Sequence, residues 1–449
     1  MIRVYLDSDV INKIRNGTLP ELAEAINRFR SELLIPFSPA HVRDKLPSKK
    51  ANEDRFWEDI DHLTLFSQSK HIAYNNKTDF IQPYVIDAKK VAENIEEHNF
   101  TLETLFTGNG MMDFLVETAT ELDNPEMAEK IIKAFHTPTL NENETIKDDI
   151  NNFANRIFSL RNDASAYKAN RELIRDHISI PTDASNWQGD IIDKLDEYVK
   201  ASGYYESFHQ MVEASFGVNE EITRFRYYSQ AYQLLGSLGY NPDKIDLKSN
   251  KGFDNHLQDA WHSFYGAHCD FFVVMDKRLK AKSQVLYDKY RIYTKIIGPE
   301  EFAALLSSLL EKNNLNKLIL DTLQSLPVNT LIEDGIHKFL YRLNSYLFGY
   351  FTHLQYEMEN SDGLTVFLFT KMYDNYSDFI FFQEYDSLIE EVHQCFGGNE
   401  LLDDVLKKFR SDDTDNHWHD YHFRSGFAQL QYVKGKFYLK LYLLNDQQD

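Results

Sequence analysis

An α/β domain built on a parallel sheet is the fold this sequence predicts. A long, mostly helical insertion splits it, and a smaller α+β domain follows. Three observations predict this arrangement. Short apolar runs alternate with helix-patterned stretches over residues 1–46. The same alternation returns at about residue 252 and continues to 312. From 316 to 449, apolar and polar residues alternate in runs of strand length. Strand–helix alternation of the first kind implies right-handed crossovers and parallel pairing. At 449 residues the chain also exceeds one ordinary core.

Taken in order, residues 2–6 read as a short buried strand ending at Asp7. Residues 18–32 are helical, with Leu22, Ile26 and Phe29 at helical spacing. Residues 33–37 form a second apolar strand. Ser38 and Pro39 then open a helix, the serine at the N-cap and the proline at the first helical position. From 47 to 251 the chain reads as an insertion with few β-branched runs and no nucleotide-binding glycine loop. Its helices are expected over 109–135, 144–175, 189–215 and 219–236.

The second block opens with a helix over 255–267. A strand over 271–275 ends at Asp276, and a helix over 277–287 follows. A strand over 291–297 and a helix over 299–312 close the block, before a linker at 313–316. In the last domain, strands are expected over 364–370 and 378–382, paired with each other, and a helix over 384–396. A hairpin is expected over 426–433 and 436–444.

Composition bounds the function. Apolar residues make up 43%, with 32 Phe and 26 Tyr, which is ample for packed cores. The net charge of −22 argues against a protein that coats nucleic acid non-specifically. With two cysteines the sequence argues against a disulfide framework and against a multi-cysteine zinc site. No apolar run approaches the ~20 residues that span a bilayer, and no leader pattern follows Met1, so a cytoplasmic protein without membrane contact is expected.

The chemistry lies in the acids. Asp7 and Asp276 each follow a predicted buried strand, and the carboxyl ends of parallel strands line the binding crevice. Asp44 lies on the helix after the second strand, and Asp259 lies on the helix that leads to the Asp276 strand. Carboxylates held together repel one another unless a cation neutralises them. Mg²⁺ or Mn²⁺ takes such hard oxygen ligands, lowers the pKa of a bound water and braces a phosphoryl oxygen.

Tyr5-Leu6-Asp7-Ser8-Asp9-Val10-Ile11 resembles the opening strand of PIN-like domains. Phe37-Ser38-Pro39-Ala40-His41-Val42-Arg43-Asp44 resembles their second acidic motif. The stretch from Asp259 to Leu279, with the run Phe271-Phe272-Val273-Val274-Met275-Asp276-Lys277, resembles the third and fourth acids and the closing strand. The resemblance implies a three-layer parallel-sheet fold and a metal-dependent nuclease. Asp7, Asp44, Asp259 and Asp276 would hold Mg²⁺ or Mn²⁺, with Asp9 assisting. The second acid is Asp where the family often has Glu, and about 200 residues separate it from the third.

Beside these acids, His262 and the basic run from Lys277, Arg278 and Lys280 through Lys282, Lys289, Arg291 and Lys295 are candidate phosphate contacts. Tyr287, Tyr290 and Tyr293 are candidate base-stacking residues. His41 shares a helical face with Asp44, and Asp415, His417, His419, Asp420 and His422 are a candidate second metal cluster. Cys269 reads as a core thiol and Asp270 as a strand-start residue.

The expected substrate is nucleic acid, RNA ahead of DNA, with toxin or defence effector as one role. The alternative is a catalytically silent scaffold that binds a protein or nucleic acid. The insertion or the last domain would dock a protein partner or inhibitor, and a homo-oligomer is left open.

Overall fold

The computed structural model describes residues 1–49, 51–95, 178–181, 184, 187–203, 205–216, 222–242, 253–310, 314–333, 336–358, 364–371, 381–397, 400–410, 418–423, 427–433 and 436–444. The helices expected over 109–135 and 144–175 lie outside these residues. So do Asp415 and His417.

The first unit is a parallel sheet of β1 (Ile2–Leu6), β2 (Leu33–Leu34), β5 (Phe271–Val273) and β6 (Lys295–Ile297), in the order β2-β1-β5-β6. All three pairings are parallel, and Val4, Tyr5 and Leu6 face Phe271, Phe272 and Val273. Successive strand residues point to opposite faces, so this sheet feeds two cores. Ile2, Val4, Leu6, Phe271, Val273 and Ile297 enter one core; Tyr5, Leu34, Phe272, Val274 and Ile296 enter the other.

Helices α1 (Ser8–Arg15), α2 (Pro20–Arg28), α4 (Glu53–Ser67) and α10 (Pro299–Leu309) cover the first face through Val10, Leu22, Ile60 and Phe302. The second face is covered by α7 (Arg224–Ser237), α8 (Phe253–Gly266) and α9 (Lys277–Tyr290) through Tyr228, Phe264 and Leu286. Part of the predicted insertion therefore builds the α/β unit itself. The boundary expected at 46 falls inside α3 (Pro39–Lys49).

Several elements differ from expectation. The chain after α4 turns into an antiparallel hairpin of β3 (Lys70–Asn75) and β4 (Phe80–Val85), within the stretch expected to be mostly helical. The stretch 189–215 breaks into α5 (Ile191–Ala201) and α6 (Phe208–Ala214), because Ser207 stops the chain to cap the second helix through Gln210 N–H. Arg291 adopts a left-handed conformation (φ 55°) that ends α9, so β6 begins at Lys295 rather than 291. Asn314, expected in a linker, caps α11 (Leu315–Leu323).

The second unit is an antiparallel sheet of β7 (Asn329–Glu333), β8 (Ile336–Leu347), β9 (Phe351–Met358), β10 (Leu364–Thr370), β11 (Trp418–His422), β12 (Ala428–Val433) and β13 (Lys436–Leu444). Their order is β11-β12-β13-β10-β9-β8-β7. The hairpin of β12 and β13 is as expected, but β10 has β9 and β13 on its two edges and no edge left for the strand expected over 378–382, of which 378–380 lie outside the described residues. The helix expected over 384–396 is α12 (Phe382–Phe396). Among the described residues no helix is long and apolar enough to cross a membrane.

Buried ions join the two units at the amino end of the parallel sheet. Arg3 Nε donates to both Glu384 oxygens at 2.9 Å, and Lys371 Nζ donates to Asp270 Oδ2 at 2.8 Å. The Arg3 backbone N–H also donates to Asp270, at 2.7 Å. Asp270, expected only to start a strand, is part of this cluster.

Candidate active site

The opposite, carboxyl end of the parallel sheet carries the acids. Asp7 follows β1 directly, and its N–H donates to Val273 O on the neighbouring strand at 3.0 Å. Asp276 follows that neighbour, β5, so both acids stand at one sheet edge. Asp44 reaches this edge from α3 and Asp259 from α8. Gly266 lets α8 come close. A Cβ there would lie 2.7 Å from the Phe272 ring, so only glycine permits this approach.

His262 is the centre of the site. It is 1% exposed. Its Nε2 meets Asp44 Oδ2 at 2.7 Å and Ser8 Oγ at 3.3 Å. Its Nδ1 lies 2.9 Å from the Tyr5 hydroxyl and 4.0 Å from Asp7 Oδ1. Burial alone would lower the His262 pKa, but the charge and hydrogen bond of Asp44, with the charges of Asp7 and Asp259, raise it to about 9. Nε2 donates to the Asp44 carboxylate, and the raised pKa favours the charged ring, in which Nδ1 donates to Tyr5 as well.

Behind it lies a buried polar relay. Tyr5 Oη lies 2.6 Å from Ser38 Oγ, which lies 3.3 Å from His41 Nδ1. The Ser38 N–H also donates to His41 Nδ1, at 3.1 Å. His41 Nε2 donates to Leu6 O at 2.8 Å, which fixes its neutral tautomer. Burial, then the charge of His262, lowers the His41 pKa to about 3. Thus His41 supports the site from below and does not face solvent.

The acids differ in state. Burial first, then the like charges of Asp44 and Asp9 against the opposing pull of His262, raise the Asp7 pKa to about 6. Burial would raise Asp44 as well, but His262 outweighs it and holds the carboxyl below its ordinary value. Asp276 is exposed and caps α9, accepting from the N–H groups of Arg278 and Leu279 at 2.6 and 3.0 Å. Asp9 is exposed on α1.

The donor chemistry of this edge, hard carboxylate oxygens around a desolvated Asp7, fits a divalent cation such as Mg²⁺ or Mn²⁺. Among the described residues, however, no three His, Cys, Asp or Glu side chains stand close enough to hold a metal ion as they are arranged. The Asp44–His262 bond and the Asp276 cap show two of the carboxylates already engaged.

The other candidates fall in varied places. Lys277 is exposed, and Arg278 and Lys280 are half-buried on the first turns of α9. Lys282 is not available to phosphate: it is 1% exposed, with Nζ 4.4 Å from the Tyr232 ring centre. Tyr287 is a core residue whose hydroxyl donates to Ser263 O at 2.6 Å, and Tyr290 packs on Tyr227 and Tyr228. Of these three tyrosines only Tyr293 is exposed. Burial raises the thiol of Cys269, as a core residue requires. The side chains of His419, Asp420 and His422 lie outside the described set.

Tyr5, Ser8 and Ser38 are site residues that pattern reading missed. Each occupied an ordinary slot in the sequence, as a strand interior, a helix start and an N-cap. No family model, curated protein or solved structure matches the chain.

Proposed function

We propose that the chain is a metal-dependent nuclease of the three-layer, PIN-like type that cleaves phosphodiester bonds, RNA in preference to DNA. One observation carries the reading. Acids from three separate elements (Asp7, Asp44 and Asp259) act on one buried imidazole at the carboxyl edge of a parallel sheet, and Asp276 follows the next strand as the cap of α9. Asp7, Asp44, Asp259 and Asp276 would hold Mg²⁺ or Mn²⁺, with Asp9 at the rim. When bound, the ion supplies a more acidic water and a brace for a phosphoryl oxygen. His262 orients Asp44, and the Tyr5–Ser38–His41 relay orients His262. Lys277, Arg278 and Lys280, beside Asp276, supply cations for backbone phosphates. A cytoplasmic toxin or defence effector is the role this reading favours.

A second reading has its own support. The engaged carboxylates of Asp44 and Asp276 suit a catalytically silent scaffold that recruits a partner. Calorimetric titration with Mn²⁺ decides between the two, comparing the native chain with Asp7→Asn/Asp276→Asn. Binding that is lost in the double variant is expected. EDTA should abolish RNA cleavage, and each single Asn variant should reduce it by about 100-fold or more. Equal or absent Mn²⁺ binding in both chains puts the silent scaffold in the nuclease's place.

A further inference from the structure

A run of arginines and aromatic rings starts beside the acids and crosses onto the inserted segment. Asp44 and His262 join α3 to α8. The residues that precede them, Arg43 and Trp261, form a second contact between the same helices. The Arg43 guanidinium carbon lies 4.6 Å from the Trp261 ring centre, and both side chains are half-buried. Phe225, at the start of α7, lies 5.5 Å from Trp261. Its neighbour Arg224 lies 4.9 Å over Phe80 on β4, and pairs with Asp79 at 3.3 Å. Phe80 is 39% exposed at the far end.

Two arginines stacked on rings, Arg43 beside the acids and Arg224 held by Asp79, mark this edge of an acidic protein of net charge −22. Such a series suits one ligand chemistry. Bases freed from a duplex stack on aromatic and guanidinium planes, while the arginines offset backbone phosphates. A paired strand keeps its bases inside the helix and cannot use the rings. A protein partner would gain from the rings but has no need of a path that begins at the carboxylates.

We propose that Arg43, Trp261, Phe225, Arg224 and Phe80 form a track for single-stranded nucleic acid, which leads the strand from the insertion to the acid cluster. The inference rests on the nuclease reading for its direction. It gives the inserted segment a task, that of gripping substrate.

The test is fluorescence anisotropy with labelled ~12-nucleotide oligo(U), oligo(dT) and a duplex of equal length, in the full chain carrying Asp7→Asn to suppress cleavage. Both single strands are expected to bind more tightly than the duplex, and the ratio of the two separates an RNA track from a general one. Trp261→Leu and Phe80→Ser should each weaken single-strand binding by about 5- to 100-fold. Trp261→Phe, which keeps a ring, should stay within about threefold of the parent. Arg224→Gln should lower the slope of log affinity against log salt by about 0.7. Phe80 lies outside the core, so its variant remains informative even where Trp261→Leu fails to fold. Duplex preference, or unchanged affinity in Phe80→Ser and Trp261→Leu, overturns the track. If the native chain still cleaves RNA in that case, only the track falls. Ring-dependent binding by a chain that cleaves nothing supports the track and removes the nuclease reading.

Discussion

His262 shows how much one side chain's state depends on its neighbours. The ring has lost its water, which alone would make it neutral, and the surrounding carboxylates reverse that outcome. Its second hydrogen bond is the test of how far the site depends on the relay. Tyr5→Phe removes the acceptor for His262 Nδ1–H and leaves a buried donor unpaired. A loss of about 1–3 kcal/mol in urea unfolding is expected, more than a surface tyrosine would cost. A loss under about 0.5 kcal/mol would mean that His262 finds another acceptor.

His71, on β3, gives the pH counterpart away from the acids. It is 5% exposed, between the rings of Phe37 and Tyr84, and among the described residues its Nε2 has no hydrogen-bond partner. Burial lowers its pKa from 6.5 to about 3. The folded ring thus refuses a proton that the unfolded chain accepts. Its contribution to stability is intact above the ordinary value of 6.5 and is lost as the pH falls from there towards 3. Near pH 4.5 that loss is about 3 kcal/mol at most. His71→Phe should flatten the acid limb of the stability profile, and an unchanged limb would show that His71 is protonated in the fold.

At the scale of elements, the strand–Asp–helix order was legible because apolar runs and caps are local signals. Asp276 was placed at the end of its strand, and it does cap the following helix. The β3–β4 hairpin was not legible: Lys70–Asn75 is polar at both ends, and Pro83 interrupts Phe80–Val85, so neither reads as a strand alone. Pairing with each other and the bridge from Phe37 to His71 decide it, and those contacts are tertiary. The acids at the sheet edge were named from the sequence, but the hydroxyl side chains that Asp44 and His262 touch were not. Tyr5 and Ser38 become partners only when α3 folds back over β1. The helix that carries Asp259 and His262 depends likewise on Gly266, whose neighbour in space, Phe272, is fully buried. Gly266→Ala should push α8 away from the sheet and cost about 1–3 kcal/mol. Thermal melts with an unchanged midpoint would show that Phe272 gives way freely.

At the scale of the molecule, the two sheets share a buried set of charges that neither unit completes alone. Arg3 and Asp270 belong to the parallel sheet, and Lys371 and Glu384 to the second unit. Burial would raise the Glu384 pKa, but Arg3 and then Lys371 reverse this and hold it below the ordinary carboxyl value. The stability this adds is present above that ordinary value and is lost as the pH falls through the depressed one. Removing one partner leaves an uncompensated buried charge, which costs about 3–5 kcal/mol. Arg3→Met is therefore expected to destabilise the whole chain by that amount, although Arg3 lies at the sheet end opposite the acids. The same set of charges predicts that the two units unfold together. Calorimetry of the native chain should give one transition, whereas Arg3→Met should separate the unfolding of the antiparallel sheet from that of the parallel one. Two transitions in the native chain would show that the ions hold the units in contact without coupling their stability.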